Sequence, residues 1–383
     1  MSTSVGDEAY YLYCRSRYGD LESFVQFEKM CTETVDTKSQ LIWRGYLGNA
    51  LFYSQHNRQD AEKAKELCQS LFPALKAAVD AEEGDSEACP HLQYFLAWCY
   101  HNSLGVTRNN EEAVRLFRLA SNKGLAIAQS NLGICYDDGE GVPQDRAEGA
   151  RLYRLGANSG HAPAQYNLGL SFYYGNGLSQ NEIEAAKLFR LAADQGFSPG
   201  QCMLGECYDK GLGVEHDMLE AIKWYRLAAA QGHADAQLTL GQCYQYGDGV
   251  PSDWDVANRL LHSAAEQGSD YAQCYYGDFS RLLDSEESVK WYRLAAAQDY
   301  PKALLELGRC YAHGTGVDVD VIEAVKWFTR AADKNQSNAL EELAAINDAY
   351  VEAVSNSDFL DVSCVDVRGL MLPTFIIILY VCV

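Results

Sequence analysis

The sequence predicts an all-α protein, an α/α superhelical solenoid of about seven 36-residue helix-turn-helix repeats. Three observations carry this. Gly133, Gly169, Gly205 and Gly241 stand 36 residues apart, and so do Tyr100, Tyr136, Phe172, Tyr208 and Tyr244. Within each unit the apolar residues fall at helical spacing in two runs. A loop with two glycines separates the runs. Self-similarity at this period means stacked helical units that bury their faces on one another, rather than one globular core.

The elements follow in chain order. Residues 1–87 are helical but off the period. Leu21–Met30 is amphipathic, and Leu41–Ser54 resembles a degenerate first helix. Asp60 is placed to cap a helix through Leu67 and Leu71, which Pro73 ends or kinks and Leu75–Ala81 resumes. Units that close a solenoid are atypical, so this stretch reads as a helical N-terminal cap. The repeat array takes residues 88–346. In the unit Ala236–Ser269, residues Ala236, Leu240, Gly241 and Tyr244 make one face of a first helix, helix A. Tyr246–Val250 then breaks it. Asn109, Asp145, Asn181, Asp217, Asp253, Asp284 and Asp320 hold the next shared position, as N-caps of a second helix, helix B. Glutamate follows three residues later in every unit except that of Asp253, which has Val256; this is capping-box spacing. In the preceding unit helix B buries Ala221, Trp224, Tyr225, Ala228 and Ala229. It ends at Gly124, Gly160, Gly196, Gly232 and Gly268, with Asp299 and Asn335 in that left-handed place in the last two units.

The string A-Q-x-x-L-G-x-C-Y-x-x-G-x-G-V, then D, then A-x-x-W-Y-R-x-A-A-x-x-G-x-x-x-A-Q resembles the Sel-1-like repeat, a relative of the tetratricopeptide repeat. The resemblance runs from about Leu92 to Ile346. It implies an α/α solenoid with helix A on the concave side, and mostly adaptor and assembly roles. Seven layers of roughly 10 Å make a rod on the order of 70 Å long. One unit departs: Gly277 to Gly308 spans 31 residues. Asp284 and Glu287 are retained there, so the deletion is expected in the glycine loop, leaving both helices whole and changing the pitch locally.

Composition excludes several functions. Acidic residues number 53 against 31 basic, for a net charge of −22, which repels nucleic acid and suits a basic protein partner. The same charge also serves solubility. Cys99, Cys135, Cys207, Cys243 and Cys310 occupy one structural position copied through the array, about a layer apart, and read as small core residues rather than metal ligands. Unpaired cysteines favour a reducing, cytoplasmic setting. No secretory signal opens the sequence. The G-x-G loops lack a third glycine and a preceding strand, so they turn the chain rather than cradle phosphate. His161 and His233 are loop residues, and no nucleophile and base share a spacing. The expected catalytic, metal and cofactor residues are therefore none. Arg118, Arg154, Arg190, Arg226 and Arg293 form a ladder on helix B that grips an acidic peptide, pairs with acids of adjacent repeats or faces solvent. Residues 347–383 form a tail. Its stretch Gly369–Val383 carries no charge and is shorter than a spanning helix. A tail anchor, a segment docked on the last repeat and a sequence without native role all fit it.

Framework positions repeat; one stripe on helix A does not. Three, six and ten residues after its first small residue it reads Asn131, Ile134, Asp138; Asn167, Leu170, Tyr174; Met203, Glu206, Lys210; Thr239, Gln242, Tyr246; and Glu306, Arg309, His313. Tyrosine, methionine and mixed charge on a non-core face fit a groove for a peptide or protein. The plain alternative is a drifting solvent face. The expected function is a non-enzymatic scaffold or adaptor binding its partner on helix A. The alternative is an adaptor in endoplasmic-reticulum-associated protein degradation, held to that membrane by the apolar tail. The resemblance also implies a third reading, a hydrolase on the repeat fold.

Overall fold

The structure, a computed structural model, describes residues 9, 29–30, 37–52, 58–82 and 88–356. Leu21–Met30 falls outside these residues except for its last two, and the apolar stretch Gly369–Val383 lies wholly outside them. The helices are α1 (Thr37–Phe52), α2 (Arg58–Ala81), α3 (Pro90–Asn102), α4 (Asn110–Asn122), α5 (Ala126–Asp138), α6 (Arg146–Asn158), α7 (Ala162–Tyr174), α8 (Glu182–Asp194), α9 (Ser198–Lys210), α10 (Met218–Ala230), α11 (Ala234–Tyr246), α12 (Trp254–Glu266), α13 (Asp270–Ser280), α14 (Ser285–Ala297), α15 (Pro301–His313), α16 (Val321–Asp333) and α17 (Ser337–Asn356). No strand occurs among the described residues. From α3 to α16, odd-numbered helices are helix A and even-numbered ones helix B. The chain forms two compact units, Met1–Ala236 and Gln237–Val383, each a run of such pairs.

In the first unit, the glycine of helix A is in close contact with a ring of its helix B. A Cβ on Gly133, Gly169 or Gly205 would stand 2.6–2.7 Å from the ring of Tyr153, Phe189 or Tyr225. The second unit repeats this at Gly277 with Tyr292 and Gly308 with Phe328, and Leu261 takes the ring's place over Gly241. Twenty residues separate glycine and partner in the full-length pairs. Gly48 in α1 faces the Cys68 sulfur in α2, also twenty residues on, so this stretch carries the degenerate pair read from the sequence. Helix α2 is continuous through Pro73. It starts at Arg58, ahead of Asp60.

Every helix B has the expected N-cap, an Asn or Asp oxygen accepting from the backbone N–H two or three residues on, at 2.9–3.2 Å. The reciprocal half of the capping box is absent from these caps. The N-cap's own N–H donates to the carbonyl of the helix A aromatic, as Asp145 N to Tyr136 O at 2.8 Å and Asp217 N to Tyr208 O at 3.0 Å. The N3 glutamate turns instead to a cation three residues further, as Glu148 to Arg151 and Glu220 to Lys223. Helix B ends as read: the C′ glycines have φ of +82° to +96°, and Asp299 and Asn335 have φ of 61° and 63°. Trp224 is half-buried where full burial is expected; Tyr225 and the alanines are buried.

In four G-x-G loops the second glycine does more than turn the chain. A Cβ on Gly141, Gly177 or Gly213 would collide with the first carbonyl of the preceding helix B, at Asn110, Arg146 or Glu182. Gly316 lies the same way on Ser285 in the second unit.

A buried glutamine at the start of helix A adds a further tie. Gln165 Nε2 donates to Ala157 O at 3.4 Å, and its Oε1 accepts from Gln195 at 2.7 Å. Gln201 with Gln231, Gln237 with Gln267 and Gln273 with Gln298 repeat the arrangement at 2.8–3.0 Å. The shortened unit corrects one expectation. Helix α13 has 11 residues where α11 has 13, so the deletion takes the end of helix A as well as loop residues. The cap at Asp284 then follows Ser280 closely, with Asp284 N donating to Ser280 O at 2.7 Å.

Replacing Gly169 by Ala should push the Phe189 ring out of its seat and cost about 1–3 kcal/mol. A lowered urea midpoint would show it; an unchanged midpoint would mean the ring yields freely.

Candidate functional site

The helix A stripe splits by depth. Its third position is exposed at Asp138, Tyr174, Lys210, Tyr246 and His313. Asn131, Asn167, Met203, Glu206, Thr239, Gln242 and Arg309 are half-buried, since neighbouring elements cover the first two positions.

In the first unit the stripe gathers around α7 and α9. Tyr174 is 63% exposed and its ring meets Tyr173 edge-on at 4.9 Å. The Tyr173 hydroxyl donates to Glu206 Oε1 at 3.3 Å, and Lys210 pairs with the same carboxylate at 2.5 Å. Burial, then the charge of Glu206, pushes the Tyr173 phenol up to about 12. Met203 packs on the local core, and Asn131 Nδ2 donates to Ile127 O at 2.8 Å within its own helix. The side chain of Asp138 makes no hydrogen bond or ion pair among the described residues.

In the second unit Tyr246, 65% exposed, lies 3.3 Å from the Tyr275 hydroxyl, which also donates to Gln245 Oε1 at 2.9 Å. Burial and the bond to Tyr246 hold the Tyr275 phenol well above its ordinary value. Tyr271 follows on α13 at 6.4 Å from Tyr275, half exposed. Arg309 is tied down: it bonds Glu306 at 2.8 Å and Glu342 at 2.7 Å, while Arg281 takes the other Glu306 oxygen at 3.0 Å. The His313 side chain joins no hydrogen bond or ion pair among the described residues. Tyr275 and Asp278 occupy stripe positions three and six after Ala272. The same count applied to the shortened unit finds them.

Arg118, Arg154, Arg190 and Arg293 of the ladder are exposed or half-buried, and each also meets an aromatic that its own helix does not carry. Arg118 donates to the Tyr136 hydroxyl at 2.9 Å, and Arg293 to that of Tyr311 at 2.8 Å. Arg190 bonds the Tyr208 hydroxyl, with its guanidinium 5.5 Å from the ring centre, and Arg154 lies 5.9 Å from that of Phe172. Each reaches the helix A aromatic eighteen residues on, so the ladder clamps one pair to the next by hydrogen bonding and cation–π attraction.

Cys99, Cys135, Cys207, Cys243 and Cys310 are buried, and none of them is in a disulfide. Burial pushes the thiols of Cys135 and Cys207 up to about 12, and that of Cys310 to about 11. No cluster of potential metal ligands occurs among the described residues. Burial lowers the His233 value, and its Nδ1 accepts from Ala236 N at 3.4 Å. His161 is buried at the N-cap of α7. No described helix is long and apolar enough to cross a membrane.

The Sel1 repeat profile matches seven times, at residues 90–125, 126–161, 162–197, 198–233, 234–269, 270–300 and 301–336. No curated protein matches the sequence. Two solved structures are similar along most of the chain. A protective antigen present in uropathogenic Escherichia coli strains, displaying an SLR fold, is 29% identical with a TM-score of 0.57; the match covers 84% of this chain and 66% of that one. A Sel1 repeat protein from Oxalobacter formigenes is 25% identical with a TM-score of 0.56, covering 90% of this chain and 96% of that one.

With a pKa near 12, about one Cys135 or Cys207 thiol in ten thousand is ionised at pH 8, against roughly a quarter for a free thiol. Both should be alkylated by iodoacetamide at least a hundredfold more slowly in the native chain than in urea, read residue by residue by mass spectrometry.

Proposed function

We propose that this chain, which belongs to the Sel1 repeat family, is a non-enzymatic scaffold that holds a peptide or protein partner against its helix A stripe. Sel1 repeat proteins generally serve as protein-interaction scaffolds. The observation that carries the finer reading is the exposure of Tyr174 and Tyr246, each set beside a second tyrosine that is itself held by hydrogen bonds. Large aromatics that remain exposed while their neighbours are fixed offer rigid contact area at low entropic cost. Tyr174 stands beside the Glu206–Lys210 pair, and Tyr246 beside Gln242 and Tyr275. Each unit offers its own contact set: Tyr174, Glu206 and Lys210 over Asn131, Asn167 and Met203 in the first, and Tyr246, Gln242 and Tyr275 over Thr239 in the second. Arg309 supports it through Glu306 rather than by direct contact.

On this reading residues 1–87 close the array at its N-terminal end, 88–346 present the surface and 347–383 form a tail. The net charge of −22 favours a partner with basic residues. The buried free thiols suit a reducing compartment such as the cytoplasm.

The test is an affinity purification with mass spectrometry on the intact chain and its Tyr174→Ala, Tyr246→Ala variant. A partner held by the first should fall at least tenfold with the second, at unchanged thermal midpoint. Equal recovery from both would remove the partner from this surface.

A further inference from the structure

We infer that the loop edge of the second unit, where helix A ends and helix B begins, is a docking surface for a basic amphipathic helix. It is a surface apart from the helix A stripe and does not depend on that reading.

Three successive segments build the edge. Trp254, the first residue of α12, stacks its ring on Phe279 near the end of α13, with 5.2 Å between ring centres. The turn after α13 carries Leu282 and Leu283, whose N–H groups donate to Phe279 O and Ser280 O. The shortened unit has these two leucines where full-length units carry the glycine loop. The loop before α16 then lies on the start of α14, since a Cβ on Gly316 would collide with Ser285 O, two residues past Leu283. That loop leads on to Val319, Val321 and Ile322. All six apolar side chains are exposed, Leu282 by 70% and Leu283 by 60%. Single exposed apolar residues need no explanation, but six gathered on one edge mark an interaction surface.

Charge decides the occupant. Residues 246–258, 282–289 and 314–325 include no lysine or arginine. The carboxylates of Asp248, Asp255, Glu286 and Asp318 make no hydrogen bond or ion pair among the described residues. Asp255 and Glu286 stand in the first turns of α12 and α14, where the helix dipole favours an acid. Asp248 and Asp318 lie in loops and have no such role. A second copy of this chain would bring the same carboxylates and be repelled. Residues 369–383 carry no charge and cannot answer them. A helix with lysine or arginine flanking a leucine face answers both features. The spacing fits as well. Seven residues of helix advance about 10.5 Å, about one layer of the stack, so apolar residues at i, i+7 and i+14 would meet Trp254, the leucine pair and Val321 in turn.

The probe is a labelled eighteen-residue peptide of leucine and lysine, with its leucines on one helical face, titrated onto the full chain by fluorescence anisotropy at physiological salt. It should bind at least tenfold more tightly than a peptide of the same composition whose leucines share no face. A peptide with glutamate in place of lysine should be weaker by at least as much. Two variants test the surface itself: Leu282→Ser, Leu283→Ser and, separately, Asp248→Asn, Asp318→Asn. All four side chains are exposed, so circular dichroism and the thermal midpoint should stay unchanged while each variant loses the peptide at least fivefold. Undiminished binding by either variant, or equal affinity for the rearranged peptide, would overturn the surface. No binding to the unsubstituted chain would overturn it too. Loss with Tyr174→Ala, Tyr246→Ala but not with the edge variants would move the peptide to the stripe, so the two proposals fail separately.

Discussion

Everything in each unit depends on the contact between the helix A glycine and the side chain twenty residues on. A ring such as Phe189 seats there only because Gly169 has no Cβ, which would stand 2.6 Å from it. That approach fixes the separation and register of the two helices. The register in turn places the N-cap N–H under the helix A carbonyl, as Asp145 under Tyr136. It also brings the second loop glycine onto the preceding helix B, as Gly177 onto Arg146. Glycine is a poor helix former, by about 1 kcal/mol relative to alanine. Its recurrence mid-helix therefore marks packing that outweighs propensity.

Much of this was legible because repetition separates framework from decoration. The period, the caps at Asn109 through Asp320 and the left-handed ends at Asp299 and Asn335 all follow from residue type and position. What failed did so for a common reason. The capping-box reading of Glu148 considers helix B alone, while the N–H it would need is already held by helix A. The arginine ladder was judged on its own helix wheel, while its partners lie eighteen residues on, in the following pair. The A-Q of the motif gave no hint of Gln165 and Gln195, since a thirty-residue hydrogen bond has no local signature.

The stripe shows the same limit. Spacing placed Tyr174 and Tyr246 on an open face, and they are open. A single-helix wheel cannot see elements that pack alongside, so Glu206 and Arg309 came out more exposed on paper than in the fold. Tyr275 escaped because its unit is five residues short, although its offset from Ala272 is regular. The deletion removed the helix end and loop but spared the Gly277–Tyr292 contact and the Gln273–Gln298 bond.

The eighteen-residue arginine clamp has a consequence for how such a chain changes length. Each described clamp, from Arg118, Arg154, Arg190 and Arg293, joins one helix pair to the next through the same residue positions; at the α12–α13 step those positions hold His262 and Ser280 instead. A genetic crossover between equivalent codons of two units would add or remove a whole unit, and the new junction would meet the aromatic its arginine already fits. Length can thus vary in quanta without any new interface having to be invented, and a single unit such as the shortened one can drift internally as long as its two joining faces survive.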